Sequence, residues 1–267
     1  MTVRPSGDEL AIRFDAALAV AREAGDLASG YFRDRATLEV KIKGAQDRTT
    51  EADREVEVLI RERLLARFPG DGFLGEEGGG GISGEAPGLW VVDPIDGTEC
   101  LIEGIPTWSV SIAFVVAREI EIGVVYDPNA GEMFAARRSH GTTVNGDPVH
   151  ASAATSFAEG LVGLGHSTRV EARATLEAMD RLLADGGMFI RTGSGALMIA
   201  YVAAGRLLAY YEAHINSWDC LAGICLVREA GGWTNNFLAG DGLNSGNPIA
   251  AAAPGLEDAI KKVGGLA

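Results

Sequence analysis

The sequence predicts a layered α/β protein, and three features of the 267-residue chain indicate this class. Amphipathic helical patterns occupy the first part of the chain, and short continuous apolar runs typical of buried strands follow from Gly72 onwards. Helices and strands then alternate in the second half. Hydrophobic residues make up 47% and charged residues 22%, the balance of a packed domain rather than of a disordered chain. The predicted fold class is therefore α/β, with α+β layers.

The first two helices are predicted from apolar spacing and from capping residues. Apolar residues recur with helical spacing over residues 8–31. A β-like stretch at 38–42 then leads into a polar turn at 43–47. Thr50 and Asp53 have the spacing of a capping box with Asp in the usual place of Glu. A second, charged helix is therefore expected to begin there.

Five short apolar runs are predicted to be neighbouring strands of one sheet. They occupy residues 73–74, 89–92, 109–116, 120–126 and 133–136. Because the runs are continuous rather than alternating, several of these strands should be buried on both faces. The glycine-rich segment 78–88 is expected to be a flexible loop.

The second half is predicted to alternate between strands and helices. A change to small polar residues around 147–157 marks a boundary between an N-terminal half, residues 1–150, with most candidate metal ligands, and a C-terminal half, residues 151–267. Strands are expected at 161–165, 188–191, 207–212, near 233 and at 248–252, and helices at 170–184, 194–204, 219–230 and after Pro254.

Charge and composition exclude several classes of function. With 23 Lys and Arg against 37 Asp and Glu, the net charge of −14 repels a phosphate backbone or an anionic membrane, so neither is an expected partner. The first residues have no apolar signal segment, and no apolar run reaches about 18 residues, so a cytoplasmic location is expected. Cys100, Cys220 and Cys225 lack zinc-ligand spacing and are expected to be free thiols.

Carboxylates at the end of one predicted strand indicate a metal site. Asp93 ends an apolar run, the next residue is a proline that is expected to stop the ladder, and Asp96 follows shortly after. Two carboxylates and the freed carbonyl of Ile95 are ligands that Mg²⁺ prefers. Gly97 and Thr98 add backbone N–H groups and a hydroxyl that can face a phosphate. Alone, the pattern fits a solvated turn equally well.

Two further acidic segments add candidate ligands. Glu76 lies in a Gly-Glu-Glu-Gly turn, a pattern that is more often plain surface. Asp219 lies in a Ser-Trp-Asp-Cys segment at the start of an apolar helix, where an ordinary N-cap is the simpler interpretation. Together with Asp93 and Asp96, both fall at the ends of predicted elements, where open α/β sheets place ligands. The four carboxylates together could hold a two-metal cluster.

At this point the sequence closely resembles the inositol monophosphatase family of Mg²⁺-dependent, lithium-sensitive phosphatases. The shared motifs extend over nearly the whole chain: Asp47…Thr50…Asp53, Gly-Glu-Glu at 75–77, Asp-Pro-Ile-Asp-Gly-Thr at 93–98, Gly-Ser-Gly-Ala at 193–196, Trp-Asp at 218–219 and Glu-Ala-Gly-Gly at 229–232. The resemblance implies an α-β-α-β-α sandwich of the sugar-phosphatase type, with the metals between its two halves. It also implies a homodimer.

The resemblance implies roles for individual residues, with two to three Mg²⁺ ions in the site. One ion would be bound by Glu76, Asp93 and the Ile95 carbonyl, a second by Asp93, Asp96 and Asp219, and a weaker third near Glu76. Thr98, supported by Asp53, would hold the attacking water together with Glu76. Substrate contacts would come from Gly97, Thr98, Gly193, Ser194, Glu212 and Asp219, with Glu212 at the substrate hydroxyls. Asp47 and Glu77 also match family positions, but the resemblance implies no single role for them, because their roles differ between family members.

The chemistry of phosphate esters agrees with this assignment. Water attacks a dianion, so a catalyst must neutralise charge, lower the pKa of the water and stabilise the leaving alkoxide. Two divalent ions supply all three effects, and four carboxylates balance their charge. No protein nucleophile is required, and the sequence offers no convincing one.

The substrate stays open between alternatives. Inositol-directed relatives have Thr-Asn-Phe where this chain has Glu-Cys-Leu at 99–101, and the segment 104–108 resembles the Gly-x-Pro-x-Trp of histidinol-phosphate phosphatases. The segment 193–197 and Glu212 favour the inositol-directed pattern. Myo-inositol monophosphate is therefore the first candidate and histidinol phosphate the second, followed by bisphosphate nucleotides and sugar bisphosphates. A contribution of His214 and Asn216 to specificity is a further hypothesis.

A function of a different class is a non-catalytic module that binds divalent ions or a partner protein. A decayed enzyme would be expected to have lost at least one residue of the site. Every one of the principal candidates is present in this chain, namely Glu76, Asp93, Asp96, Thr98 and Asp219. Hydrolysis is therefore the favoured prediction.

Overall fold

The computed structural model of the chain describes residues 4–44, 47–81 and 86–266. Its helices are α1 (Gly7–Arg33), α2 (Glu51–Arg67), α3 (Thr98–Glu103), α4 (Ala172–Ala184), α5 (Gly195–Ala203), α6 (Ser217–Glu229), α7 (Gly242–Ser245) and α8 (Glu257–Gly264). Its strands are β1 (Val40–Gly44), β2 (Asp47–Thr50), β3 (Gly72–Gly75), β4 (Gly79–Gly81), β5 (Leu89–Asp96), β6 (Ser109–Val116), β7 (Glu119–Asp127), β8 (Glu132–Arg137), β9 (Thr142–Val144), β10 (Asp147–Val149), β11 (Leu161–Leu164), β12 (Met188–Ile190), β13 (Ala209–Ile215), β14 (Trp233–Thr234) and β15 (Asn247–Ala252).

These elements form five layers in the order helix, sheet, helix, sheet, helix, which confirms the predicted layered α/β class. An eight-stranded sheet has the order β10-β9-β8-β7-β6-β5-β3-β4, and a five-stranded sheet has the order β12-β11-β13-β15-β14. Helices α1 and α2 cover the outer face of the large sheet, and α4 and α8 cover the outer face of the small one. Helices α5 and α6 lie between the two sheets. The strands β1 and β2 form a separate hairpin.

Local capping explains where the first two helices begin. Ser6 and Glu9 form a capping box at the start of α1, and Thr50 and Asp53 form the predicted one at the start of α2. Both helices bury an apolar stripe, since side chains three and four residues apart share a face. On α2 this stripe includes Val56, which packs against the large sheet. The capping box therefore fixes α2, and Asp53 with it, against that sheet.

Strand β5 packs against both neighbouring helix layers, because its side chains alternate between the two faces of the large sheet. Trp90 and Val92 belong to the cluster formed with α1 and α2, and Val91 belongs to the cluster formed with α5 and α6. The prediction that this strand stops at Asp93 was wrong. The strand continues to Asp96, and only its pairing with β6 is interrupted between these two residues, where the proline has no N–H to donate.

Three other predicted boundaries, of a loop, a turn and a helix, differ from those in the structure. Residues 79–81 pair with β3 as strand β4, although the sequence predicted a loop, and residues 82–85 of that loop lie outside the described residues. The predicted turn 43–47 is partly strand, and its residues 45–46 are also outside the description. Helix α6 begins two residues earlier than predicted, with Asn216 as its N-cap. Asp219 is therefore the third residue of the helix, not its cap.

The cysteine prediction is confirmed, since Cys100, Cys220 and Cys225 are buried free thiols. Across the ranges that the structure describes, no helix has both the length and the apolar character needed to cross a bilayer.

Candidate active site

Three carboxylates from two distant parts of the chain converge at the middle layer. Asp93 and Asp96 come from the end of β5, and Asp219 comes from the first turn of α6. One oxygen atom from each lies within 4.8 Å of the others. Asp93 faces the middle layer because it is two residues from Val91 on the same strand. The fold thus brings together three of the predicted metal ligands.

Each of these carboxylates is oriented through one of its oxygens. Oδ1 of Asp93 accepts a 2.9 Å hydrogen bond from the amide of Ile95, and Oδ2 of Asp219 accepts one of 3.0 Å from the amide of Asn216. Oδ2 of Asp96 accepts the Ser194 hydroxyl at 2.5 Å and a backbone amide of α5 at 2.7 Å. Because one oxygen is held in this way, the other is presented in a fixed direction and can serve as a ligand.

Burial raises the pKa values throughout this cluster. It raises the pKa of Asp93 well above the usual range, and it does the same for Glu76, which lies close enough to Asp93 and Asp219 to interact with both. Repulsion between the neighbouring carboxylates adds to the effect. Burial and the charge of Asp219 raise the pKa of Asp96 to about 7, although hydrogen bonds from α5 oppose the shift. The pKa of Asp219 is also raised, mainly by burial. Buried carboxylates of this kind become fully charged at neutral pH when a cation compensates them.

The residues present fit a hard divalent cation. The donor atoms are carboxylate oxygens and the backbone carbonyl of Ile95, which Mg²⁺ prefers over nitrogen or sulfur ligands. The Ile95 carbonyl lies 3.1 Å from Oγ1 of Thr98, and a carbonyl oxygen has a second lone pair available for a further contact. The composition and charge of the cluster are therefore those of a site that could hold a hard divalent cation.

A hydrogen-bonded pair beside the cluster joins α2 to α3. Oγ1 of Thr98 donates to Oδ1 of Asp53 at 2.8 Å, and it also lies within reach of the Ile95 carbonyl. Asp53 is held by the amide and the hydroxyl of Thr50, at 2.8 and 2.7 Å. Because the Thr98 proton is directed to a neighbouring acceptor, its lone pairs can accept a hydrogen bond from water.

Gly97 turns the chain sharply from β5 into α3. Its φ is +100°, a conformation that favours glycine, and a Cβ there would lie 3.0 Å from the carbonyl oxygen of Thr107. The turn brings the amides of Gly97 and Thr98 to the start of α3, where backbone N–H groups have no partner inside the helix. These are the amides that the sequence assigned to phosphate.

Glu57 is a residue that the sequence analysis missed. Its buried carboxylate accepts the amides of Glu77 and Gly78, each at 2.7 Å, and so holds the turn that carries Glu76. A Cβ on Gly75 or Gly78 would lie only 2.2 or 2.5 Å from the Glu57 oxygens. The sequence did contain one indication of this role. Glu57 is four residues after Asp53 on α2, and residues four apart share a helix face.

The predicted substrate residues occupy different environments. Ser194 is completely buried and contacts Asp96, and Gly193 has a φ of +104° beside the Cys100 thiol. Glu212 lies on β13 with burial raising its pKa to about 7, and it accepts a hydrogen bond from Tyr210, which the sequence analysis also missed.

Three further residues named in the sequence analysis are described by their local surroundings. Nε2 of His214 is 3.0 Å from the carbonyl oxygen of Ser245. Glu77 contacts Glu57 through its amide, and Asp47 begins β2, with a side chain outside the described part of the chain.

The layered fold and the converging carboxylates define a class of α/β protein with an acidic site between two sheets. The model of the inositol monophosphatase family matches residues 11–263, and the chain belongs to this family.

Individual relatives are similar in sequence or structure over most of the chain. A Nus factor SuhB of Haemophilus influenzae is 34% identical over 92% of this chain and 94% of that protein. An inositol-1-monophosphatase of Rhizobium meliloti is 34% identical, with 86% of each chain covered. The crystal structure of extragenic suppressor protein suhB from Bartonella henselae has a TM-score of 0.87 at 31% identity, covering 93% of this chain and 96% of that one. An IMPase of Thermotoga maritima has a TM-score of 0.83 at 29% identity, covering 95% and 96%.

Proposed function

We propose that this chain is a Mg²⁺-dependent phosphoric monoester hydrolase, with myo-inositol monophosphate as its first candidate substrate. The observation that carries the proposal is the convergence of Asp93, Asp96 and Asp219 next to the paired Thr98 and Asp53. Family membership and the relative named inositol-1-monophosphatase support it.

The cation site would be formed by carboxylates of both sequence halves. Glu76, Asp93, Asp96, Asp219 and the carbonyl of Ile95 would hold two to three Mg²⁺ ions. When bound, such ions supply positive charge to the phosphate oxygens and acidify a water molecule. The reaction needs no covalent intermediate with the protein.

The chain itself would orient the water and the phosphate. Asp53 accepts a hydrogen bond from the Thr98 hydroxyl, so that the hydroxyl oxygen can accept a hydrogen bond from the attacking water. Glu76 would be the second acceptor for this water. The amides of Gly97 and Thr98 would donate to the phosphate oxygens, and Glu212 would accept a hydroxyl of the leaving alcohol.

Two observations weaken the case for histidinol phosphate. Glu99, which differs from the inositol-directed pattern, is paired with Arg48 of the β1–β2 hairpin. Trp108, which resembles the histidinol-phosphate pattern, is completely buried and packs against Phe32. Both side chains therefore contact other parts of the protein, Glu99 through an ion pair and Trp108 through ring packing.

A partner-binding role is the alternative of a different class. Several relatives carry the name Nus factor SuhB, among them the Haemophilus influenzae protein. The complete set of carboxylates favours hydrolysis as the activity of the site.

We also propose a homodimer, which sedimentation equilibrium of the purified chain tests directly.

Phosphate release from a parallel panel tests the proposed substrate. The panel contains inositol 1-phosphate, histidinol phosphate, fructose 1,6-bisphosphate and adenosine 3′,5′-bisphosphate, each with Mg²⁺ and with EDTA. We expect release only with Mg²⁺ and a preference for inositol 1-phosphate. A preference for histidinol phosphate would contradict the substrate, and no release from any ester would contradict hydrolysis itself.

A further inference from the structure

Tyr210 and Glu212 form a buried pair on strand β13. The Tyr210 hydroxyl donates a 2.5 Å hydrogen bond to Oε2 of Glu212. Tyr210 is completely buried, and Glu212 keeps 8% of its surface exposed. Residues two apart on a strand share a face, and Tyr210 packs into the middle layer. The pair therefore lies on the side of the small sheet that faces the carboxylate cluster.

Glycines leave the space that this pair occupies. Gly163 is the neighbour of Tyr210 across the parallel strands β11 and β13, and a Cβ there would lie 2.7 Å from the tyrosine ring. A Cβ on Gly165 would lie 2.2 Å from Oε2 of Glu212 and 2.4 Å from the Tyr210 hydroxyl. Any larger residue at these positions would displace the pair, because such contacts are shorter than van der Waals distance.

The start of α5 links the pair to the candidate metal site. A Cβ on Gly195 would lie 3.3 Å from the Tyr210 hydroxyl, which places this residue directly beside the pair. Its two neighbours in sequence, Ser194 and Ala196, both donate hydrogen bonds to Asp96. Gly195 therefore lies between the Tyr210–Glu212 pair and Asp96, a candidate metal ligand.

The two oxygens of Glu212 have different environments. Oε2 receives the Tyr210 hydroxyl, whereas within the described ranges no hydrogen bond reaches Oε1. A carboxylate that is held at one oxygen presents the other in a fixed direction. The tyrosine suits this task because its ring is locked by packing and its hydroxyl has one proton to donate.

We propose that Tyr210 is a positioning residue that aims Oε1 of Glu212 at a hydroxyl group of the substrate, and so makes the site selective for polyol phosphates. The inference rests on the proposed function, in which Glu212 accepts a hydroxyl of the leaving alcohol. Tyr210 itself contacts neither the phosphate nor the reacting water. Its effect is confined to substrates that have a hydroxyl within reach of Glu212.

The test compares two substrates in Tyr210→Phe, with Tyr211→Phe as the matched control. Inositol 1-phosphate has hydroxyls beside the ester, and phenyl phosphate has none. The Tyr211 hydroxyl donates to the carbonyl of Gly264 and lies on the opposite face of the sheet. We expect Tyr210→Phe to raise KM for inositol 1-phosphate about tenfold more than KM for phenyl phosphate, with a smaller effect on kcat. Tyr211→Phe is expected to keep the wild-type ratio.

Two further variants separate positioning from a general structural role. The substitution Gly165→Ala, at the residue just after strand β11, would push on the same pair and should reproduce the selective loss. The fold of this variant is checked by circular dichroism. In a Glu212→Gln background, adding Tyr210→Phe should change the KM ratio by less than about twofold, because the group that it positions has already been altered. An equal loss on both substrates would overturn the inference.

The result for the wild-type chain separates this inference from the proposed function. If the wild type hydrolyses phenyl phosphate as efficiently as inositol 1-phosphate, the polyol assignment fails and the role of Tyr210 fails with it. If the wild type prefers inositol 1-phosphate and Tyr210→Phe keeps that preference, only the role of Tyr210 is overturned.

Discussion

Oγ of Ser194 donates a 2.5 Å hydrogen bond to Oδ2 of Asp96, and the two residues are 98 positions apart in the chain. The same hydroxyl accepts the amide of Leu197 at 3.1 Å, because Ser194 caps the start of α5. One side chain thus begins a helix of the middle layer and orients a carboxylate of the large sheet. The geometry of the cluster therefore depends on how α5 packs against β5.

Ser194→Ala is expected to weaken cation binding while the chain stays folded. Without the hydroxyl, Asp96 loses one of the groups that orient it, so kcat/KM should fall about tenfold and half-maximal activity should need more Mg²⁺. Activity measured over a Mg²⁺ titration checks both effects. Thr142→Val is the control, since it removes another buried hydroxyl whose hydrogen bond, to Leu226, lies elsewhere. An unchanged Mg²⁺ requirement in Ser194→Ala would contradict the orienting role.

Glu57→Gln tests whether α2 holds the turn of Glu76. A carboxylate can accept the amides of both Glu77 and Gly78, whereas the NH₂ group of glutamine would face one of these amides as a second donor. We expect kcat to fall about tenfold or more. Glu55→Gln changes an exposed glutamate of the same helix, which accepts the Tyr31 hydroxyl, and should keep near-wild-type kcat. Equal activity in the two variants would refute the role of Glu57.

The stability of the metal-free chain is expected to fall as the pH rises. The pKa of Asp96 is raised from its ordinary value of 3.8 to about 7 in the folded state, mainly by burial. Between about pH 4 and pH 7 the folded chain therefore binds more protons than the unfolded chain, and rising pH favours unfolding. Glu212, with a pKa raised to about 7, acts in the same direction.

Thermal unfolding in EDTA and in Mg²⁺ measures this effect. Between pH 5 and pH 7 the Tm in EDTA should fall, and Mg²⁺ should reduce the fall because the cation binds the folded state. A Tm in EDTA that rises steadily across this range, with no response to Mg²⁺, would contradict the electrostatic description of the cluster.

Asp96→Asn is expected to be inactive and yet more stable than the wild type in EDTA at pH 8. The substitution removes a buried negative charge, and asparagine can still accept the Ser194 hydroxyl and the Ala196 amide through its carbonyl oxygen. Asp241→Asn is a control of opposite sign, because hydrogen bonds from Ser245 and Asn244 lower the pKa of that exposed carboxyl. If Asp96→Asn lowers Tm under these conditions, the charge of Asp96 is not a source of strain in the metal-free fold.

The parts of the fold that follow from local chemistry could be predicted from the sequence. The capping box of Thr50 and Asp53 begins α2 as expected, and the apolar runs from 89 to 136 are neighbours in one sheet. Strand β4 was missed, because three glycines have no apolar pattern and their pairing depends on β3. The strand through Pro94 was cut short, because a proline interrupts pairing without forcing the chain to change direction.

The sequence was enough to predict that the carboxylates of Asp93, Asp96 and Asp219 lie close together, and their role as metal ligands stays a prediction. The supporting residues could not be found in this way. Glu57 acts on amides 20 and 21 positions away, and Tyr210 depends on space left by one glycine on strand β11 and one just after it. Such roles arise from contacts between elements, so no local pattern in the sequence marks them.

Phosphate release from inositol 1-phosphate by wild type and by Asp96→Asn, each over a Mg²⁺ titration from EDTA upwards, tests the proposed site most directly. We expect the wild type to release phosphate only when Mg²⁺ is present, and Asp96→Asn to remain folded and inactive even at saturating Mg²⁺. Release by the wild type in EDTA, or activity of Asp96→Asn at saturating Mg²⁺, would contradict a cation-dependent reaction at these carboxylates.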